Sequence, residues 1–296
     1  MINKSIATNI GLLTILMWSS LALLSVFSKN IPPFLLLTLC FCISIFLVVL
    51  KRLYKREALL QLPSLNTAQW VVGVSGLFGF HFLYFLAIRH APPIQVSLVC
   101  YLWPLLLALY VSLPGQRMLT LIGALLGFLG AGIVISGGQT MDFTPAYTLG
   151  YVYAFGAALI WSTYSWYMSK SDNNVEDIGW ISLVVAVFAL VCHLLLEENV
   201  MATPGLFDTT TIIAIILLGL GPVGGAFYLW DIAMKFGHKQ WIASLSFTTP
   251  VISTILLAGF GIGSVSMNVL VSLGLIMAGA VLCNVQSMRR RMLHSQ

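Results

Sequence analysis

Few side chains in the long apolar runs of this 296-residue chain could do chemistry, and most of those are aromatic or hydroxylic. His81 and His193 are the only histidines inside such runs, and Asp231 is the only acidic residue. Asp231 stands four residues before Lys235 near the end of a run, so an i,i+4 salt pair at the interface is its expected role. His81 lies three residues before Tyr84 on a shared helical face, where it could bond a solute or titrate. His193 has no comparable neighbours and is read as structural. Trp18, Trp103 and Trp161 fall near mid-run, joined by Tyr84, Tyr101, Tyr164, Phe247 and Tyr228. A buried Trp or Tyr carries a donor that needs a partner, so it is a costly choice for packing alone. Two roles stay open: filling helix junctions, or lining an aromatic, hydroxyl-bearing cavity suited to a flat organic solute.

Prolines add a second kind of signal. Pro104 and Pro250 each remove a backbone donor in mid-run, freeing the carbonyls of Cys100 and Ser246. Hydrocarbon tolerates this only where a side chain, a water or a polar cavity supplies a partner. Ser244, Ser246, Thr248, Thr249, Ser253 and Thr254 crowd around Pro250. Such hydroxyls can bond back to their own helix, or they can line a kink that faces a solute. Recurrence of the proline at a fixed offset favours the solute-facing kink. Pro222, flanked by Gly219, Gly221, Gly224 and Gly225, marks a bend or hinge. Gly123 with Gly127 and Gly130, and Gly274 with Gly279, have the small-residue spacing of close helix seams, within one chain or between two.

The absences narrow the chemistry. No GxxxxGK[ST], HExxH or GxSxG occurs, and no paired carboxylates lie within the runs, so no enzymatic activity is expected. The five cysteines all lie in apolar runs and read as packing residues, with no metal or cofactor expected. A site for lipophilic cations would bury a counter-charge in the central runs; its lack there favours neutral or zwitterionic solutes.

The elements that must position these residues follow from composition. Apolar residues make up 59% of the chain and charged residues 8%, which fits an all-α integral membrane protein. Ten spans are expected, near 6–27, 32–50, 67–88, 94–113, 119–137, 147–168, 178–196, 211–234, 241–260 and 267–285. If the amino terminus is inside, twelve basic residues lie in cytoplasmic segments and only Lys29 and Arg89 lie opposite, placing both termini in the cytoplasm. The charge of +5 is explained by topology, so membrane lipid and not nucleic acid is the expected surface partner.

The chain also resembles itself. Gly73–Pro104 lies without gaps on Gly219–Pro250 at an offset of 146, with Gly73, Gly79, Leu83, Ala87 and Pro104 meeting identical residues. Phe82 meets Tyr228, Arg89 meets Lys235 and Tyr101 meets Phe247. The offset spans five helices, an odd number, so the second unit (147–296) must enter the membrane inverted relative to the first (1–146). Inverted repeats are how many secondary transporters build two mirror-related gates around one midplane site.

FLAIRHAPPIQVSLVCYLWP at the third and fourth helices and WSTYSWY in the sixth resemble the drug/metabolite transporter superfamily, in its EamA-type branch. Tyr101-Leu102-Trp103-Pro104 with His81 upstream is most similar to the aromatic amino acid exporters of the YddG type. The chain differs from that subgroup at Cys100, where Asn is common, and at Asp231, where a neutral polar residue is usual. The resemblance implies a central cavity between helices 1, 3, 4, 6, 8 and 9 that opens alternately to either side. On this basis the chain is expected to be a multi-pass protein of the bacterial inner membrane, monomer or homodimer, exporting aromatic or other apolar amino acids and related metabolites. A broader drug or metabolite exporter is the alternative; a membrane sensor or structural subunit is the non-transport one. The residues expected at the substrate are Trp18, His81, Tyr84, Tyr101, Trp103, Trp161, Tyr228, Ser246, Phe247 and Thr248, with Pro104, Pro222 and Pro250 as kinks or gates.

Overall fold

The computed structural model describes residues 2–140, 142–198, 205–262 and 264–294, with side chains as far as Val285. The side chains of Arg289, Arg290 and Arg291, which entered the charge argument, lie outside that set. Among the described residues every regular element is helical. The rods are α1 (Lys4–Phe27), α2 (Pro33–Lys55), α3 (Thr67–His90), α4 (Pro93–Tyr110), α5 (Arg117–Ile135), α6 (Thr148–Met168), α7 (Asp177–Leu196), α8 (Thr209–Phe236), α9 (Lys239–Gly259) and α10 (Met267–His294). Nine of them are long and apolar enough to cross a bilayer; α6, with Tyr151, Tyr153, Trp161, Tyr164 and its hydroxyls, is the more polar exception. Their bounds lie within a few residues of the expected spans. The largest differences are at two ends: α10 continues past 285 to His294, and α2 runs on through Lys51–Lys55 beyond the apolar stretch and ends where Arg56 turns left-handed at φ 57°.

Local sequence explains the ends. Asn66 and Gln69 form a reciprocal capping box that starts α3. Asp208 accepts from Thr211 N at 2.7 Å to start α8, and these Thr211 bonds hold its carboxyl below the ordinary range. Pro93 and Pro33 occupy the first turns of α4 and α2, where no backbone donor is needed.

Five rods are interrupted in mid-course, α1 by a single turn residue at Ser20. α3 widens to a π turn at Ser75–Gly79. α4 breaks at Tyr101 and Leu102, immediately before Trp103 and Pro104. α8 breaks at Gly221–Gly224, and α9 tightens to a 3₁₀ turn at Ser246–Thr248 ahead of Thr249 and Pro250. Glycine is required at the α8 break, because a Cβ on Gly224 would overlap the Gly219 carbonyl oxygen.

Packing pairs the rods. α5 lies closely on α10, and a Cβ on Gly123 would sit 2.5 Å from the Gly279 carbonyl, so this glycine seam is internal to one chain. α2 lies along α7 and is fastened at three heights. Arg52 Nε meets Glu176 at 2.9 Å, Ser44 Oγ meets Ser182 Oγ at 3.0 Å, and Glu197 accepts from Phe34 N at 2.8 Å and Leu35 N at 3.2 Å. Glu197 thereby caps a helix whose own N-cap position is a proline. His193, read as lacking neighbours, bonds the same carboxylate at 2.9 Å, its partner standing just beyond the apolar run.

Lys51, Arg52, Lys170, Lys235 and Lys239 gather at one end of the bundle, the basic end. There Arg52, Ser64, Gln69, Lys235 and Lys239 all reach into the α6–α7 linker and its flanks.

Candidate functional site

Trp18, Trp103 and Trp161, expected at one site, do meet. They come from α1, α4 and α6 and are joined by Trp230 of α8, which sequence reasoning missed. All six pairs are in contact. Trp18 lies 6.0, 5.5 and 4.8 Å from Trp103, Trp161 and Trp230 between ring centroids. The remaining pairs are Trp103–Trp161 at 6.3 Å, Trp103–Trp230 at 6.0 Å and Trp161–Trp230 at 6.3 Å. Four of these contacts are edge-to-face and a fifth is tilted, arrangements that ring quadrupoles favour. The rings fill the space between them: Trp103, Trp161 and Trp230 are 7%, 4% and 1% exposed.

Two indoles are oriented by hydrogen bonds. Trp18 Nε1 donates at 3.1 Å to the carbonyl of Pro222, freed at the α8 break. Trp230 Nε1 donates to Ser165 Oγ at 3.0 Å. The α8 break and the α1 indole therefore satisfy one another, as a backbone interruption at membrane depth requires.

A second aromatic layer continues from the knot toward α3. Phe80 lies 5.6 Å from Trp161 and stacks on Tyr84 at 6.1 Å; Phe227 lies 5.8 Å from Trp161 and stacks on Phe41 at 5.6 Å. His81 stands among Phe41, Phe80, Phe85 and Phe227, and its Nδ1 is 2.6 Å from the Leu77 carbonyl inside the π turn. Tyr84 reaches Ser97 Oγ at 3.4 Å, and half-buried Tyr101 sits at the α4 break against the same core.

The remaining expected residues are engaged elsewhere. Tyr228 leaves the knot for the α2–α7 seam, where its hydroxyl donates to Ser44 O at 2.9 Å. Ser246 and Thr248 bond back to Ile242 O at 2.8 Å and Leu245 O at 2.7 Å, and Thr249 closes the freed Ser246 carbonyl at 2.9 Å. The hydroxyl run at Pro250 thus satisfies its own kink. Phe247 is 1% exposed and packs where a Cβ on Gly127 would otherwise stand. Asp231 is a correction: with Lys235 Nζ at 2.8 Å and side chains 1% and 6% exposed, this is a buried pair and not an interfacial one. The i,i+4 spacing gave the partner, but the α6–α7 linker that covers it is remote in sequence.

A cavity of about 840 Å³ lies apart from the knot. It is a groove at the basic end, walled by Met17, Leu47, Leu229 and Ile232 and rimmed by Lys51, Lys55, Glu57 and Glu176.

A helical bundle with irregular backbone focused on a central aromatic knot is the frame of a membrane transporter, and comparison with known proteins decides the family. The EamA-like transporter family matches residues 148–285. Over 97% of this chain and 100% of the relative, the sequence is 38% identical to the aromatic amino acid exporter YddG of Ancylobacter novellus. The chain belongs to the EamA-like transporter family. It is an EamA transporter of the drug/metabolite superfamily, a multi-pass protein of the bacterial inner membrane and not an enzyme. Exporters named YddG from Salmonella typhimurium and Escherichia coli are 27% and 26% identical, covering 96% and 94% of this chain and 98% and 96% of their own lengths. A crystal structure 37% identical to this EamA chain superposes with a TM-score of 0.86, covering 97% of this chain and 99% of its own.

Proposed function

We propose that this chain exports aromatic amino acids from the cytoplasm by alternating access. The observation that carries the substrate class is the full-length identity to an exporter named for aromatic amino acids. The knot is chemically suited to that class, because indole faces and edges stack on aromatic side chains in any of several tilts. Trp18, Trp103, Trp161 and Trp230 form the walls of the transport path, with Phe80, His81, Tyr84 and Tyr101 extending it toward α3. The knot is shut by its own rings, so substrate enters by separating them.

The same reading takes α1–α10 as ten spans in two inverted units, 1–146 and 147–296, with the basic end and both termini in the cytoplasm. Support comes from the backbone interruptions. The offset of 146 that aligns the sequence carries the π turn Ser75–Gly79 onto Gly221–Gly225, and Cys100–Leu102 onto the 3₁₀ turn Ser246–Thr248. Paired interruptions at matching positions are what an inverted-repeat carrier needs for two gates around one site. Pro104, Pro222 and Pro250 keep those bends in register.

Counterflow in proteoliposomes tests the substrate class. Vesicles loaded with unlabelled phenylalanine should take up labelled phenylalanine, and tryptophan or tyrosine should compete well ahead of alanine or leucine. Competition by aliphatic amino acids at equal concentration would overturn the reading.

A further inference from the structure

Among the described residues, Asp231 is set apart from the other buried carboxylates by what holds it. Asp177, at the start of α7, accepts from Ser64 Oγ at 2.6 Å, Ser64 N at 3.3 Å and Asn174 N at 3.1 Å. Glu197 accepts two backbone amides and faces His193. Asp231 Oδ2 is buried and, among the described residues, accepts from no backbone amide or hydroxyl. Its partner is Lys235 Nζ at 2.8 Å, and the same ammonium also donates to Asn173 O at 2.8 Å and Asn173 Oδ1 at 3.1 Å. The carboxylate is thus held by the Lys235 ammonium alone. A proton added there displaces one ammonium contact, where on Asp177 or Glu197 it would displace several amide or hydroxyl bonds.

Its position gives that proton something to do. Asp231 follows Trp230 in the chain, one residue toward the basic end, and faces Tyr164, whose ring lies 5.2 Å from Trp161 of the knot. Through Lys235 it is tied to Asn173 in the α6–α7 linker, the segment on which the other basic-end contacts converge. Lys239 Nζ fastens the same region through Ser169 O at 2.9 Å and Ser169 Oγ at 3.1 Å. From the packed elements, Tyr164 of α6 and Asp177 of α7 are the titratable groups that face Asp231. Beyond them, Lys4 of α1, Lys170 and Lys239 of α9 form the cationic group of the basic end.

We propose that Asp231 is a proton-binding residue that couples export to inward proton movement, with Lys235 as the positioning residue that relays its state to the α6–α7 linker. The proposal rests on the export reading above. One proton arriving from the side opposite the basic end forms an O–H bond on Oδ2, and the same bond breaks when the proton leaves to the cytoplasm. Lys235 stays an ammonium throughout. While Asp231 is neutral the ammonium loses its counter-charge, and the last turn of α8 is held to the linker by Asn173 alone. The basic end then opens more readily, and release of the proton restores the clasp. A pair with a purely structural role would change stability and every mode of transport together.

The test uses purified full-length protein in proteoliposomes, with valinomycin and equal potassium holding the membrane potential at zero. Labelled phenylalanine is followed in two modes: counterflow without a pH difference, and accumulation with the lumen one pH unit more acid than the bath. One proton exchanged per substrate sets the ceiling at about tenfold accumulation for one pH unit. The wild type should accumulate several-fold. Asp231→Asn, and Asp231→Asn with Lys235→Gln to avoid stranding a buried cation, should keep counterflow within about twofold and accumulate nothing. Asp231→Glu should restore accumulation. Wild-type counterflow without accumulation overturns the coupling while leaving the export reading intact, and this arm does not depend on any variant folding. Accumulation that survives in the double variant overturns it equally. Absence of wild-type counterflow for every aromatic amino acid removes the export reading, and the coupling falls with it.

Discussion

Replacing Trp18 by Phe keeps most of the ring in the knot but deletes the donor that meets Pro222 O at 3.1 Å. The acceptor cannot move to a new partner, because Pro222 lies in a break fixed by glycines that admit no Cβ. Leaving a buried acceptor unmet costs about 1–3 kcal/mol, against about 0.5–1.5 kcal/mol for the net loss of an ordinary hydrogen bond. Trp230→Phe supplies the internal comparison. It deletes a bond of nearly the same length, 3.0 Å to Ser165 Oγ, but that hydroxyl can rotate to another acceptor. Trp18→Phe should therefore cost about 1–3 kcal/mol and Trp230→Phe about 0.5–1.5 kcal/mol, although Trp230 is the more deeply buried ring. SDS titration in mixed micelles, followed by circular dichroism, reads both. Burial alone predicts the opposite order. A Trp230→Phe loss equal to or larger than that of Trp18→Phe would refute the claim that the indole closes the α8 break.

Three further outcomes are expected. Trp103→Ala should weaken aromatic counterflow about tenfold, the equivalent of about 1.4 kcal/mol, with Trp103→Phe retaining part of it; an unchanged aromatic-to-aliphatic ratio beside a large fall in melting temperature would make Trp103 packing only. Reporter fusions after Lys55 and after Arg89 should report opposite faces of the membrane, with the Lys55 face cytoplasmic; a periplasmic Lys55 loop would end the two-gate reading. Glu197→Ala strands the amides of Phe34 and Leu35 and should cost about 2–6 kcal/mol, at about 1–3 kcal/mol for each buried donor, with Glu197→Gln losing less than half as much. Equal losses for the two Glu197 variants would show that charge and not capping is what α2 needs.

How much was legible in the sequence depended on the range of the interaction. Runs of apolar residues located the rods because crossing hydrocarbon is a demand each segment meets alone. The aromatic convergence was also legible: Trp18, Trp103 and Trp161 stood out because mid-span indoles need partners. Trp230 was missed although the same offset of 146 places it on Tyr84, a residue already singled out. The hydroxyls near Pro250 read equally well as solute-facing or back-bonded, since both choices use the same residues and only packing decides. The burial of Asp231, the trans cap by Glu197 and the turning of Tyr228 toward Ser44 depend on segments that are remote in sequence, with contacts spanning 62, 163 and 184 residues. No local spacing encodes those.

The tryptophan knot also gives the molecule an optical signature. The chain has eight tryptophans; four form the knot, and the other four, Trp70, Trp166, Trp180 and Trp241, ring the basic end. Indoles 4.8–6.3 Å apart exchange excitation far faster than they emit, so the central four radiate as one unit. The rim four lie where a water-borne quencher can find them. Light from the unlabelled protein thus comes from two depths, and an aromatic solute that parts the knot should change the inner emission and leave the outer one as a reference.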